Sequence, residues 1–254
     1  MNYINMVTGS FLNRPNRFIA YVTLLTGEEK GKTVICHVKN TGRCKELLLP
    51  GVPVLLQYHP EASLLGRKTQ YSLIGVWKKR EHDTLFINMD SQAPNKAAYE
   101  WICSFKENSP LPGFPGIENV QREVSFGQSR FDLSFTSIRK DETGTRIETP
   151  AFMEVKGVTL EEDNLALFPD APTVRGIKHM EELIHAKKEG YEAYLLFVIQ
   201  MKGMTGFSPN SKTQPEFKEV LQKACASGVG ILAYDCLVTE HLMVIDQPVP
   251  IYLN

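Results

Sequence analysis

Short apolar stretches separated by turn-forming residues make up most of the first ninety residues. Short apolar runs bounded by turn-forming residues are typical of β-strands. Turn signals stand between the stretches, at Gly27, at Asn40-Thr41-Gly42 and at Pro50-Gly51. The predicted strands are 18–25, 33–39, 52–58, 71–78 and 85–88, with a helix-like insert at 43–49. This pattern predicts a small OB-like β-barrel over residues 1–92.

After Pro94 the pattern changes to alternating helices and strands. Asn95 is a candidate N-cap for the first helix of this part, which a Pro/Gly-rich stretch then ends. The predicted helices are 96–106, 173–189 and 216–226, and the predicted strands are 120–126, 130–136, 151–158, 193–200 and 230–237. The order αβββαβαβ predicts an α/β domain with a mixed sheet over residues 93–254, so that the chain as a whole combines α+β and α/β features.

The composition favours a cytoplasmic globular protein. Hydrophobic residues make up 43% of the chain and charged residues 22%, which is ordinary for a folded soluble domain. The N-terminus has no secretory pattern, and no apolar run approaches the roughly 20 residues of a membrane helix. Five cysteines without a CxxC pair indicate reduced thiols, and Cys36, His37 and Cys44 match no common zinc module.

Charge is distributed unevenly along the chain. Residues 1–90 carry a net charge of +5, and the remainder carries −6. A basic N-terminal part suits a polyanion, although a solvated surface would have a similar composition. In this part the residues expected to face a phosphate backbone are Arg14, Arg17, Asn40, Arg43 and Lys45. Structural turns with incidental charge explain the same residues nearly as well.

Two carboxylates and a lysine are the candidate catalytic residues. Alternation places Phe131, Leu133 and Phe135 on one face of their strand and Asp132 on the other. In the strand that follows, the same period places Glu154 and Lys156 together, while Met153 and Val155 face away. A polar segment at 137–150 makes antiparallel pairing of the two strands easy, which would let Asp132 and Glu154 meet.

Converging carboxylates need a compensating positive charge, and Mg²⁺ or Mn²⁺ supplies it through oxygen ligands. Asp132, Glu154 and the main-chain carbonyl of Val155 are the candidate metal ligands. The metal would polarise a phosphodiester and acidify a bound water, and Lys156 would position that water or stabilise the phosphate charge. An isolated ExK on a strand is more often a solvated surface pair.

The order of the predicted elements supports the interpretation of these residues as a metal site. A helix with Glu100 and a strand with Glu123 precede the strands of Asp132 and of Glu154-Val155-Lys156. This order resembles the PD-(D/E)XK nuclease core, in which Glu100 and Glu123 would be weaker additions to the catalytic set.

The helix predicted to start at residue 173 has an apolar stripe and a polar face. Thr173 or Asp170 can satisfy the free amides at its start. Arg175, Lys178 and His179 remain on the polar face, where they and the helix N-terminus would suit a phosphate near the metal. An ordinary surface helix has the same pattern.

Several motifs together resemble the sugar fermentation stimulation protein family, SfsA, along essentially the whole chain. They are Phe11-Leu12-Asn13-Arg14 with Asn16-Arg17-Phe18, His37 with Asn40-Thr41-Gly42-Arg43 and Pro50-Gly51, Glu123-Val124 with Ser129-Arg130-Phe131-Asp132, Glu154-Val155-Lys156-Gly157-Val158-Thr159-Leu160, and the run FPDAPTVRGIKHMEEL. The resemblance implies an N-terminal OB-like domain, a C-terminal nuclease-like domain and DNA binding linked by name to sugar metabolism. It also implies that Asp132, Glu154 and Lys156 occupy the nuclease-motif positions, and Arg130 joins the expected nucleic-acid contacts.

Two functional hypotheses follow. The first is a metal-dependent nuclease acting on DNA or RNA, in which the barrel grips the substrate. The second is a non-catalytic DNA-binding regulator of sugar (maltose) utilisation genes, because nuclease-like cores are sometimes kept only for binding. A sugar- or nucleotide-binding enzyme is a weaker third hypothesis, since the chain has neither a Walker loop nor GxGxxG. Neither a helix-turn-helix nor a zinc finger is apparent, which favours backbone recognition. The oligomeric state, a homodimer included, stays open.

Overall fold

A computed structural model describes residues 1–40, 42, 44–105, 107–127 and 129–253. Its first part confirms the predicted barrel. Among the described residues, five strands close it in the order β3-β2-β1-β4-β5, with β3 pairing β5 in parallel and β6 adding to β5. The strands are β1 (Met6–Asn16), β2 (Ile19–Leu24), β3 (Thr33–Val38), β4 (Pro53–Tyr58), β5 (Tyr71–Lys79) and β6 (Thr84–Asn88).

Strand β1 is absent from the prediction, although it lies at the centre of the barrel sheet. It pairs β2 on one side and β4 on the other. Register shifts interrupt its pairing with β2 between Phe11 and Asn16, so its residues lack a continuous alternating pattern. Gly9 marks the tightest point, because a Cβ there would lie 2.3 Å from Val22 Cγ1. The helix-like insert is wrong as well, because residues 45–47 form a turn.

The second part is a mixed-sheet domain, as predicted. Its main sheet has the order β15-β14-β12-β9-β8-β7. Strands β9, β12 and β14 run parallel, whereas β7, β8 and β15 pair antiparallel to their neighbours. The strands are β7 (Gly116–Phe126), β8 (Ser129–Lys140), β9 (Arg146–Val158), β12 (Glu192–Ile199), β14 (Gly230–Val238) and β15 (Met243–Pro248). A small separate sheet has the order β10-β11-β13 and consists of β10 (Leu160–Glu162), β11 (Leu165–Phe168) and β13 (Gly206–Pro209).

Helices cover both faces of the main sheet. They are α1 (Ala93–Cys103), α2 (Val174–Lys188) and α3 (Pro215–Ala226). Helix α1 buries Ala97 and Ile102 against Met153 and Val155 of β9. Helices α2 and α3 share the other core with Phe152 and Phe197, and their largest buried members are Met180, Leu183, Phe217 and Leu221. Strand β9 therefore lies between two hydrophobic cores, and any polar side chain on it is held by its surroundings.

The two parts are joined by buried polar contacts. Gln200 Nε2 donates to the main-chain oxygens of Asn88 and Asp90 at 2.9 and 3.2 Å, and Asn88 N donates back to Gln200 O at 2.9 Å. Lys78 Nζ donates to Glu161 Oε2 at 2.6 Å. Residues 1–3 also pair with the second part, since Tyr3 N donates to His241 O.

Within the described residues, none of the helices combines the length and the apolar character that a membrane span requires.

Candidate functional site

Asp132 lies where β8 and β9 separate. The ladder between these strands ends at Leu133 and Met153, so Asp132 and Glu154 would form the next pair. Instead the Asp132 carboxylate accepts the Val155 N–H at 2.8 Å and the Asn95 amide at 2.5 Å. The side chain thus takes the place of a main-chain acceptor at the end of the ladder, which satisfies the amide of β9.

The predicted alternation of β8 is broken at this point. Leu133 packs in the core beneath α1, whereas Phe131 packs in the core beneath α2, with its ring centroid 5.2 Å from that of Phe152. The expectation that Phe131 shares a face with Leu133 is therefore wrong. The prediction for β9 is confirmed: Met153 and Val155 pack under α1, and Glu154 and Lys156 share the opposite face.

Glu154 is the centre of a chain of polar contacts. Its side chain is 3% exposed, and its Oε1 accepts from Lys156 Nζ at 2.6 Å and from His179 Nδ1. Arg175 Nε donates to His179 Nε2 at 3.3 Å. Because Nε2 accepts this bond, the ring carries its proton on Nδ1 and donates it to Glu154. Helix α2 therefore delivers His179 to the carboxylate, and Thr173, which accepts the Gly176 N–H at 2.9 Å, caps the helix as predicted.

The second oxygen of Glu154, Oε2, is buried and finds no hydrogen-bond partner among the residues that the structure describes. Burial raises the pKa of Glu154, but the hydrogen bonds from His179 and Lys156 outweigh it, and the pKa lies below its ordinary value. Burial and the neighbouring charge of Glu154 raise the pKa of Asp132 to about 6, against smaller opposing effects from Val155 N, Lys156 and Asn95. The pKa of Glu154 is thus lowered and that of Asp132 is raised, as often happens when two carboxylates share a site.

The donor set fits a hard divalent cation with few protein ligands. In the described part of the chain, no group of three or more His, Cys, Asp and Glu side chains is arranged to hold a metal. Mg²⁺ commonly takes only one or two carboxylates and completes its shell with water and phosphate oxygens. Asp132 and Glu154 Oε2 would supply those carboxylates, and a cation would compensate the buried oxygen and the raised pKa. Val155 contacts Asp132 through its main-chain N–H, and the role of its carbonyl stays a prediction.

Glu100 and Glu123 lie outside this group. Glu100 is 44% exposed and pairs with the Met1 amine at 2.6 Å and with Lys96. Glu123 lies between the ladder pairs Arg122–Leu133 and Val124–Phe131, and its exposed side chain pairs with Arg130. These two residues therefore correct the predicted catalytic set. Arg130 is likewise engaged by Glu123 instead of standing free for a phosphate.

The predicted phosphate contacts of the barrel divide into two kinds. Arg14 donates to the carbonyls of Gly42, Arg17 and Asn40 at 2.7–2.8 Å, so it holds the loop, which corrects its predicted role. Arg17 is exposed over the Phe18 ring, 4.7 Å from its centroid, and Lys45 is exposed. Both line a groove of about 410 Å³ on the barrel. Arg43 lies outside the described residues.

The three α2 residues predicted to contact phosphate differ in their exposure to solvent. Arg175 and Lys178 are exposed, as the predicted phosphate contacts require. His179 is 6% exposed, and both of its ring nitrogens are engaged by Glu154 and Arg175. Its predicted contact with phosphate is therefore replaced by the positioning of Glu154. The spacing of Arg175 and His179, four residues apart on one helix face, is the signal that indicates such a contact.

Asn95 is a site residue that the sequence pattern did not identify. It was expected to cap a helix, but the N-cap of α1 is Gln92 and Asn95 lies inside the first turn. From there its amide donates to Asp132. No local signal links residues 37 positions apart, because the contact depends on how α1 packs against the sheet.

Comparisons with known proteins agree along the whole chain. Residues 12–89 match the family model of the SfsA N-terminal OB domain, and residues 92–241 match that of the sugar fermentation stimulation protein RE domain. The sugar fermentation stimulation protein homolog of Desulfitobacterium hafniense (strain Y51) is 50% identical over 240 residues, 94% of this chain and 93% of the relative. That of Ruminiclostridium cellulolyticum is 47% identical and covers 100% of both chains. The solved structure of Pyrococcus furiosus SfsA in complex with Ca²⁺ is similar, with a TM-score of 0.78, 26% identity, and coverage of 99% of this chain and 98% of that one. The chain therefore belongs to the sugar fermentation stimulation protein (SfsA) family.

Proposed function

We propose that this protein is a metal-dependent nuclease of the PD-(D/E)XK type, which hydrolyses phosphodiester bonds in DNA or RNA. The observation that carries the proposal is the buried Glu154 Oε2, which has no hydrogen-bond partner in the described part of the chain, beside an Asp132 whose pKa is raised to about 6. An orphaned carboxylate oxygen in a protein interior is costly unless a cation compensates it. Supporting the choice of cation, the similar structure of Pyrococcus furiosus SfsA is a complex with Ca²⁺, another hard divalent ion.

Each residue of the group has a definite task in this reaction. Asp132 and Glu154 would hold Mg²⁺ or Mn²⁺, which supplies charge to polarise the phosphate and acidify a bound water. Lys156, tied to Glu154 at 2.6 Å, would stabilise negative charge on the phosphate or orient the attacking water. His179 and Asn95 position the two carboxylates through hydrogen bonds. Exposed Arg175 and Lys178 would contact neighbouring phosphates.

The test is a cleavage assay with single-stranded and duplex DNA and RNA, in Mg²⁺, Mn²⁺ or EDTA. We expect metal-dependent cleavage by the wild-type protein, and a loss of about 100-fold or more in Asp132→Asn and in Lys156→Met. Circular dichroism confirms that each variant is folded. Asp163→Asn and Lys79→Met remove the same charges at exposed positions, and both should cleave like the wild type.

Either of two results would contradict the proposal. One is a pure preparation that cuts none of the four substrates with either metal. The other is full activity in Asp132→Asn, because an amide cannot replace the carboxylate as a charged metal ligand.

The exposed Arg17 and Lys45 along the barrel groove favour a second candidate, a non-catalytic DNA-binding regulator. In that case salt-sensitive DNA binding should survive Glu154→Gln and weaken in an Arg17→Ala, Lys45→Ala double variant. Binding that does not respond to salt would count against it.

A further inference from the structure

A cleft of about 360 Å³ lies between the barrel and the second domain. Its walls include Asn40 from the barrel and Pro94, Gly157, Phe168 and Asp170 from the second domain. Pro94 and Gly157 directly precede and follow Asn95 and Lys156 in the chain. The cleft therefore borders the residues next to Asn95 and Lys156 in the chain, and Asn95 in turn donates to Asp132.

The chemistry of the cleft differs from that of a phosphate site. None of its described lining residues is a lysine or an arginine, and Asp170 adds a carboxylate. Proline, leucine and phenylalanine side chains supply apolar surface, and amide and hydroxyl groups supply polar contacts. A lining that is mostly polar, with no lysine or arginine among its described residues, suits the hydrogen-bonding edge of a nucleobase, whereas the cationic residues Lys156, Arg175 and Lys178 outside the cleft suit its phosphate.

Asn40 and Asp170 offer a donor and an acceptor close to each other. Asn40 Oδ1 accepts the Gly42 N–H at 2.8 Å, which fixes the amide and leaves Nδ2 with no acceptor among the described residues. A Cβ at Gly42 would lie 2.6 Å from Asp170 Oδ2, so the carboxylate adjoins the same residue. Asp170 is exposed, yet the burial of part of its carboxyl raises its pKa, against smaller opposing effects of its own main-chain N–H and that of Ala171.

We propose that this cleft binds one unpaired nucleobase next to the scissile phosphate, with Asn40 and Asp170 hydrogen-bonding its Watson–Crick edge, so that the protein selects single-stranded nucleic acid. This inference rests on the proposed nuclease function. In a duplex the Watson–Crick edge is already paired. A double helix, whose major groove alone is about 12 Å wide, is also too large to enter the cleft. The cleft volume of about 360 Å³ is near the lower end of the size range of small-ligand pockets.

The test measures binding and cleavage separately. Fluorescence anisotropy in EDTA compares labelled single-stranded DNA, single-stranded RNA and the duplex of the same sequence. We expect the single strands to bind at least about fivefold more tightly than the duplex, and an abasic single strand to lose most of that advantage. The DNA and RNA arms distinguish the two sources of an unpaired base.

Two variants address the cleft directly. Ala171→Trp fills it and should remove the single-strand advantage, while Asp170→Asn should weaken single-strand binding by about threefold to tenfold with little effect on the duplex. Matched controls are Ala226→Trp and Asp163→Asn, at exposed positions away from the cleft. Both controls should bind like the wild type.

The outcomes separate this inference from the proposed function. Cleavage of duplex and single strands at equal rates, unaffected by Ala171→Trp, overturns the inference and leaves the nuclease function. Selective, cleft-dependent binding without cleavage under any metal overturns the nuclease function and leaves the cleft as a base-binding site. Failure to bind either form overturns both.

Discussion

At the scale of single residues, the environment of Asp132 determines its acid–base behaviour. Burial and the nearby Glu154 charge disfavour its ionised form, and the donors Val155 N and Asn95 only partly compensate. The result is a carboxyl with a pKa of about 6 in the folded protein, where an unfolded chain would have one near 3.8. A metal bound at this position would remove the penalty, so the acid is suited to a ligand that brings positive charge.

The raised pKa makes the stability of the metal-free protein depend on pH. The folded state holds this proton more tightly than the unfolded state, so its contribution to stability is present below pH 3.8 and is lost as the pH rises through about 6. The Asp132→Asn variant cannot ionise at this position, so it does not lose this contribution to stability as the pH rises. We expect its stability relative to the wild type to increase by roughly 2 kcal/mol between pH 4.5 and 7.5. Urea unfolding in EDTA at a series of pH values measures this, and a pH-independent difference would contradict it.

At the scale of elements, residues that alternate locally were predictable and strands that depend on distant partners were not. The predicted strands over 130–136 and 151–158 lie within β8 and β9, because apolar residues recur at every second position at 131–135 and at 153–155. Strands β1, β10, β11, β13 and β15 were missed. Their short or irregular sequences carry little periodicity of their own, and pairing with other strands supplies their stability.

Helix α2 gives a test at this scale, because its N-cap positions His179 and Arg175. Thr173→Ala removes the acceptor for the Gly176 N–H and should lower the free energy of unfolding by about 1 kcal/mol. It should also reduce cleavage, since the first turn carries Arg175. Thr173→Ser keeps the hydroxyl and serves as the matched control. Chemical denaturation of both variants measures the difference; equal losses would show that the hydroxyl does not cap the helix.

At the scale of the whole molecule, buried polar contacts fix the barrel against the second domain. Glu161 is 3% exposed and relies on Lys78 across the junction, which also donates to the Glu161 carbonyl at 2.9 Å. The hydrogen bonds between Gln200 and Asn88 form a second connection between the barrel and the second domain. A cleft with walls from both parts can hold a ligand in a defined position only if the parts keep one relative orientation.

Lys78→Met tests this junction. It leaves a buried carboxylate without its counter-charge and should cost about 2 to 4 kcal/mol. Lys79→Met, at the exposed neighbouring position, should change stability by less than about 0.5 kcal/mol. Differential scanning calorimetry compares the two, and a Lys78→Met protein as stable as the control would mean that the ion pair does not stabilise the junction.

The sequence by itself determined the class of each part and the residues with candidate chemistry. Short apolar runs between turn residues predicted the barrel, and the change of pattern after Pro94 predicted the mixed sheet. Two-residue alternation in the ExK strand put Glu154 and Lys156 on one face, because each of these signals is local. Tertiary structure alone decided which polar groups meet. It brought Asn95 to Asp132 and His179 to Glu154, turned Glu123 outward, and committed Arg14 to a loop, because these contacts depend on the packing of helices and strands that are far apart in the chain.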